Sequence, residues 1–213
     1  MKKILVGILA GVMALSLCAC GGGGDTSDSD VDYKEIITDK DAGTVSVYGT
    51  VNGMFFDQST MHFMVYEGGS MAEKCMVKAF ADSQDFYDAM MEIGGKPGNE
   101  TTDKIADGEF VKGQPVDVTI TWDGQDDPVS WEDFTKLEDG SKAKMDFVFG
   151  GNKQNNETAG SGCIACNNSC WAGITSNKAY AFGDVDAMKP GVYLNDKVAP
   201  ADGTVVKVTF TLK

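Results

Sequence analysis

Val116-Asp117-Val118-Thr119-Ile120-Thr121-Trp122 alternates apolar and polar side chains without a break, which is the period of a strand with one buried and one solvated face. Val116, Val118, Ile120 and Trp122 share the apolar face. Related short stretches recur at 44–52 (TVSVYGTVN), 61–68 (MHFMVYEG), 74–81 (KCMVKAFA), 143–151 (AKMDFVFGG) and 204–212 (TVVKVTFTL). They read as strands because β-branched and aromatic residues dominate and Gly, Asn or Asp punctuates their ends. One segment departs from this rhythm. In DSQDFYDAMMEIGGKPG (82–98), Asp82 or Ser83 can cap a helix, and Phe86, Met90 and Ile93 fall on one stripe that should be buried. Gly94-Gly95 and then Pro97 end it. A shorter turn is expected at 130–137, with Trp131, Phe134 and Leu137 covering the core. The expected fold is mainly β with one principal helix, an α+β single domain built as an antiparallel sandwich or a partly open barrel.

The N-terminus predicts where that domain works. Lys2 and Lys3 precede an apolar stretch from Ile4 to Leu17, and Leu17-Cys18-Ala19-Cys20 has the form of a lipoprotein cleavage site with small Ala19 before the acceptor Cys20. Cys18 is excluded as acceptor because bulky Leu17 would precede the cut. Residues 1–19 are therefore expected to be a bacterial lipoprotein signal peptide. Residues 20–32 are a lipidated Cys20 and a Gly/Ser/Asp tether too polar to pack, holding the 33–213 domain roughly 20 Å from the membrane. The predicted place is the extracytoplasmic face of the cell membrane.

The chain carries 32 acidic residues against 18 lysines and no arginine, a formal charge of −14. Such a balance repels nucleic acid and speaks against it as a partner. Without arginine there is no planar fork to grip phosphate in a bidentate way.

Cysteine use is the second strong signal. Cys163, Cys166 and Cys170 fall within a Gly- and Asn-rich segment, GGNKQNNETAGSGCIACNNSCWAGITSN (150–177), and Cys75 is the remaining thiol of the domain. The C-x2-C-x3-C spacing is like the latter part of a ferredoxin run, although Trp171 follows where that run has proline. Thiolates at this spacing can also close a zinc site. In an exported domain, four cysteines equally suit disulfides. Lys2-Lys3 is no twin-arginine signal, so a preassembled cluster is disfavoured, whereas zinc is obtainable after export. The segment looks too rich in Gly and Asn to be buried, and the three cysteines are expected to act as one unit on a loop. His62, the sole histidine, reads as a structural residue of an alternating strand rather than a ligand.

FYDAMMEIGGKPGN (86–99), VDVTITW (116–122), FVFGGN (147–152) and GCIACNNSCWAGITSN (162–177) together resemble the YdjY-like domain of bacterial extracytoplasmic proteins, from about Gly53 to the C-terminus. The resemblance implies an exported domain with a Cys-bearing loop and supplies no substrate or catalytic residue.

Other signals carry less. Met61, His62 and Met64 invite a copper(I) reading, but alternation sends Met61 and Met64 to opposite faces. The acidic run at 123–127 lacks the order of a calcium loop and reads as a solvated turn. Ser161 and Ser169 have no base positioned by any motif. The function expected from these residues is a non-enzymatic, membrane-anchored accessory domain. Its Cys75, Cys163, Cys166 and Cys170 form a redox or metal site, iron–sulfur or zinc, serving membrane redox or metal-handling proteins. The alternative is a binding or structural surface lipoprotein whose loop cysteines form disulfides.

Overall fold

A computed structural model of the chain describes residues 31–183 and 191–213. The expected signal peptide, Cys20 and all but the end of the tether lie outside the described residues. In the first half of the domain, β1 (Ile37–Asp39), β2 (Thr44–Val51), β3 (His62–Tyr66) and β4 (Cys75–Ala79) precede α1 (Ser83–Glu92), which is followed by β5 (Gln114–Trp122) and β6 (Gln125–Ser130). The second half runs α2 (Trp131–Phe134), β7 (Thr135–Leu137), β8 (Phe147–Phe149), α3 (Lys153–Ala159), β9 (Cys163–Cys166), β10 (Thr175–Asn177), β11 (Val192–Leu194) and β12 (Val205–Leu212).

Backbone pairing passes from β2 through β12, β5, β8, β10, β9 and β3 to β4. β4 then returns to β2, with Val77–Ala79 against Val51–Gly49, so eight strands close into a barrel. β1 and β6 extend it at β2 and β5, while β7 and β11 form a separate two-stranded sheet. Alternation fills the interior: Val47 and Ile120 flank Val208, and Val45 and Val118 flank Phe210. All six are fully buried.

α1 begins as read from the sequence, with the Asp82 side chain accepting from the Gln84 N–H. It lays Phe86 and Met90 on the barrel core, the Phe86 ring 4.8 Å from Phe210. Ile93 differs from expectation: it is the C-cap and only half-buried, because the helix ends one residue earlier. Met90→Ala should therefore cost about 2–5 kcal/mol and Ile93→Ala distinctly less, an order that urea denaturation would reverse if the helix packed otherwise. At 131–134 the expected turn is a short helix whose Trp131 and Phe134 are fully buried, with Trp131 5.2 Å from Phe147.

Two strand pairs are parallel, β3–β4 and β9–β10, where an antiparallel arrangement was expected. Parallel neighbours need crossovers rather than hairpins, and here both crossovers, 67–74 and 167–174, are short. They pack on the outer side of β3, β4 and β9, so these strands are covered on both faces. Phe63, Met76 and Ile164 join the main core. Val65, Cys75, Cys163 and Cys166 join a second cluster with Cys170 and Ala172.

Candidate metal centre

The cysteine segment is not the open loop its composition suggested. Residues 161–177 are buried apart from a half-exposed Trp171, and Cys163–Cys166 is strand β9. Burial is tolerated because side-chain amides satisfy the backbone that the short strands leave unpaired. Asn156 donates to the carbonyls of Cys163 and Ala172 at 2.9 and 2.7 Å, while Asn152 donates to those of Cys170 and Gly173 at 3.2 and 3.1 Å. Asn167 donates to the Thr60 carbonyl, and Thr175 to that of Ile164. Asn156 is held in turn by donors from the start of α1, Ser83 Oγ at 2.8 Å and Gln84 Nε2 at 2.9 Å. Asn152 accepts from Asn99 Nδ2 at 2.7 Å, which ties the KPGN and FGGN stretches together.

Regular strand geometry would send residues three apart to opposite faces. The β3–β9 register prevents this: His62 pairs with Cys166, Met64 with Ala165 and Val65 with Cys163, so each strand carries one unmatched residue. These paired irregularities turn Cys163 and Cys166 to the same outer side, the usual consequence of a bulge. His62 Nδ1 lies 3.4 Å from Cys163 Sγ. The ligand atoms of His62, Cys163 and Cys166 all lie within 4.8 Å of one another, and all three residues are buried. This cluster can coordinate a metal ion. At a metal–sulfur distance of about 2.3 Å, tetrahedral ligands stand roughly 3.8 Å apart, so modest inward shifts suffice.

Hydrogen bonding polarises the thiols. The Cys166 thiol donates toward Cys163, joined by His62 and Ser161, and together they hold Cys163 well below its ordinary value despite burial. Cys166 is raised by that same bond, by its bond with Cys170 and by burial. Gly173 leaves room for this sulfur, since a Cβ there would stand 2.9 Å from Cys166 Sγ.

Cys170 therefore sits beside Cys166 but outside the mutual three-residue set. Cys75 shares the buried cluster, yet its Sγ lies 3.1 and 3.0 Å from the Ala72 and Val77 carbonyls, to which it donates. Burial pushes its thiol up to about 12. No disulfide joins the four cysteines of the described residues.

His62 is the residue that the sequence reading misplaced. Nothing in one alternating strand reveals a second sulfur-bearing strand beside it. Met61 lines a cleft above the cluster, whereas Met64 lies in the core. Ser161 supports Cys163, and Ser169 accepts from the Val111 N–H at 3.1 Å. Asp123 and Gly124 form the β5–β6 turn, with Gln125 already in β6.

The cleft, of about 480 Å³, has the two parallel crossovers as walls: Met71, Glu73 and Lys74 come from one, Cys170, Trp171 and Ala172 from the other. His62 and Cys163 reach its floor. Lys104 Nζ stands 3.9 Å over the Trp171 ring and fixes that wall.

In the metal-free protein, alkylation by iodoacetamide at neutral pH should modify Cys163 before Cys75 or Cys166, with peptide mass spectrometry reading the order. Reaction of Cys75 first would contradict the polarisation. Stability follows with opposite signs. Cys163, lowered from 9.0, contributes stability that is lost as pH falls from about 9 toward its folded value. Cys75, raised to about 12, contributes stability that is lost as pH rises from about 9 to that value.

A closed eight-stranded barrel with a buried His-Cys-Cys cluster under a cleft defines the class, a β-barrel domain with a site able to bind a metal ion. The chain belongs to the YdjY domain family, whose model matches residues 36–211, a wider span than the resemblance from Gly53. It is 33% identical over 170 residues to "Uncharacterized protein YdjY" of Escherichia coli (strain K12), covering 79% of this chain and 75% of that protein. No solved structure matches the chain.

Proposed function

We propose that this is a lipid-anchored extracytoplasmic domain whose barrel holds one soft metal ion, with zinc as the first assignment. His62, Cys163 and Cys166 are the ligands, and the domain serves as an accessory to membrane-bound metal-handling or redox proteins. The observation that carries the reading is the convergence of three buried ligand atoms within 4.8 Å. That spacing suits a single ion. A 4Fe–4S cluster binds each thiolate to a different iron and spreads the sulfurs farther apart. Two thiolates and an imidazole match the donor preference of zinc, and Cys170 stands nearby for a fourth bond. The ion would fix the two strands and crossovers to one point.

A second reading has its own support: the opposed shifts of Cys163 and Cys166 resemble the attacking and resolving thiols of a Cys-x-x-Cys pair. Metal analysis of protein purified without oxygen separates the two, since the redox pair predicts empty protein with a reducible Cys163–Cys166 bridge. The anchor has an independent test. Metabolic lipid labelling should disappear in Cys20→Ser, and labelling that persisted would remove the membrane from the account.

A further inference from the structure

We infer that the cleft above His62 and Cys163 binds a small apolar thiol, which completes the coordination of the metal from the cleft side; this rests on the metal reading. Three observations converge. The volume, about 480 Å³, lies within the range of small-molecule sites. Its walls are largely apolar, with Met54, Phe55, Met61, Met71, Trp171 and Phe182 surrounding the floor. The ligands are also divided: His62 and Cys163 face the cleft, while Cys166 is fully buried behind them and does not line it. A four-coordinate ion held by these three therefore turns its remaining corner toward the cleft. Cys170 lines the same space and is the chain's own competitor for that corner.

The chemistry of the visitor follows from both ends of the cleft. A soft ion with two thiolate ligands favours a further sulfur over a carboxylate, and apolar walls penalise a strongly hydrated partner. When the thiol binds, its S–H bond breaks, the proton passes to solvent and the sulfur forms one bond to the metal in place of the water at that corner. No electron is transferred.

Full-length protein loaded with cobalt(II) provides the test, because cobalt–thiolate absorption reports each sulfur added. Titration with benzyl mercaptan should saturate, with affinity roughly tenfold or more above that for 2-mercaptoethanol, since only the former buries a phenyl group. Benzyl alcohol, with the same apolar body and no sulfur, should leave the cobalt spectrum unchanged. Ala159 is an exposed residue lining the cleft, so Ala159→Trp should weaken benzyl mercaptan by roughly tenfold or more. The spectrum of that variant without thiol should match the parent, which shows the metal site intact. Equal affinity for the two thiols, an equal response to benzyl alcohol, or indifference to Ala159→Trp would overturn the inference while leaving the metal site standing. Failure of cobalt to bind at all would overturn the metal reading and this inference with it.

Discussion

Cys166→Ser should weaken metal binding by more than the roughly 10–100-fold typical of an outer-shell change, whereas Cys75→Ser should leave it nearly unchanged. Cys166 is fully buried and belongs to the mutual three-atom set. A serine hydroxyl there offers a harder, protonated donor to an ion chosen by sulfur. Cys75 is equally buried, but its thiol is committed to two carbonyls and remains protonated. His62→Ala should fall with Cys166→Ser. Competition against a chelator would measure all three, and a Cys75→Ser loss as large as that of Cys166→Ser would mean that the ligand set has been misassigned.

Asn156→Ala should have a large effect on stability although Asn156 lies outside the apolar core. Its amide nitrogen donates to the buried Ala172 carbonyl and shares that of Cys163 with the Ile174 N–H, while its oxygen accepts from the buried Ser83 hydroxyl, so its removal orphans the Ala172 carbonyl and that hydroxyl. At about 1–3 kcal/mol for each orphaned group, the loss should be about 2–5 kcal/mol. Asn156→Asp is the sharper probe: it still accepts from Ser83 and Gln84 but cannot donate to the loop. Both variants should unfold at lower urea and bind metal less tightly, since the same carbonyls position Cys163 and the crossover that carries Cys170. If Asn156→Asp unfolded like the parent, the clamp would not be what holds the buried segment in place.

The contrast between Asn156 and Val118 shows what could be read in advance. Val118 lies in an alternating run, where period alone assigns strand and face, so the barrel walls and the α1 stripe were legible. Asn156 lies in a run whose composition matches a solvated loop. Its amide ties the Cys163 and Ala172 carbonyls to the Ser83 and Gln84 side chains at the start of α1, and only the folded topology reveals those partners. The same holds within the site. The C-x2-C-x3-C spacing is local and drew attention to Cys163, Cys166 and Cys170. His62 enters through β3–β9 pairing and two compensating irregularities at Phe63 and Ile164, a register that no local pattern encodes. Closure of the barrel by Val77–Ala79 against Val51–Gly49 is non-local in the same way. Cys75 shows the converse: its residue type suggested a ligand, and two nearby carbonyls engage its thiol.

Occupancy of the His62, Cys163 and Cys166 site by one metal ion is open to a single assay. Full-length protein purified without oxygen, assayed together for metal, acid-labile sulfide and free thiol, addresses it most directly. A single metal ion per chain, no labile sulfide, and loss of the ion in Cys163→Ser are expected. Metal-free protein with Cys163 and Cys166 joined in a reducible bridge, or labile sulfide in amounts matching iron, would contradict it.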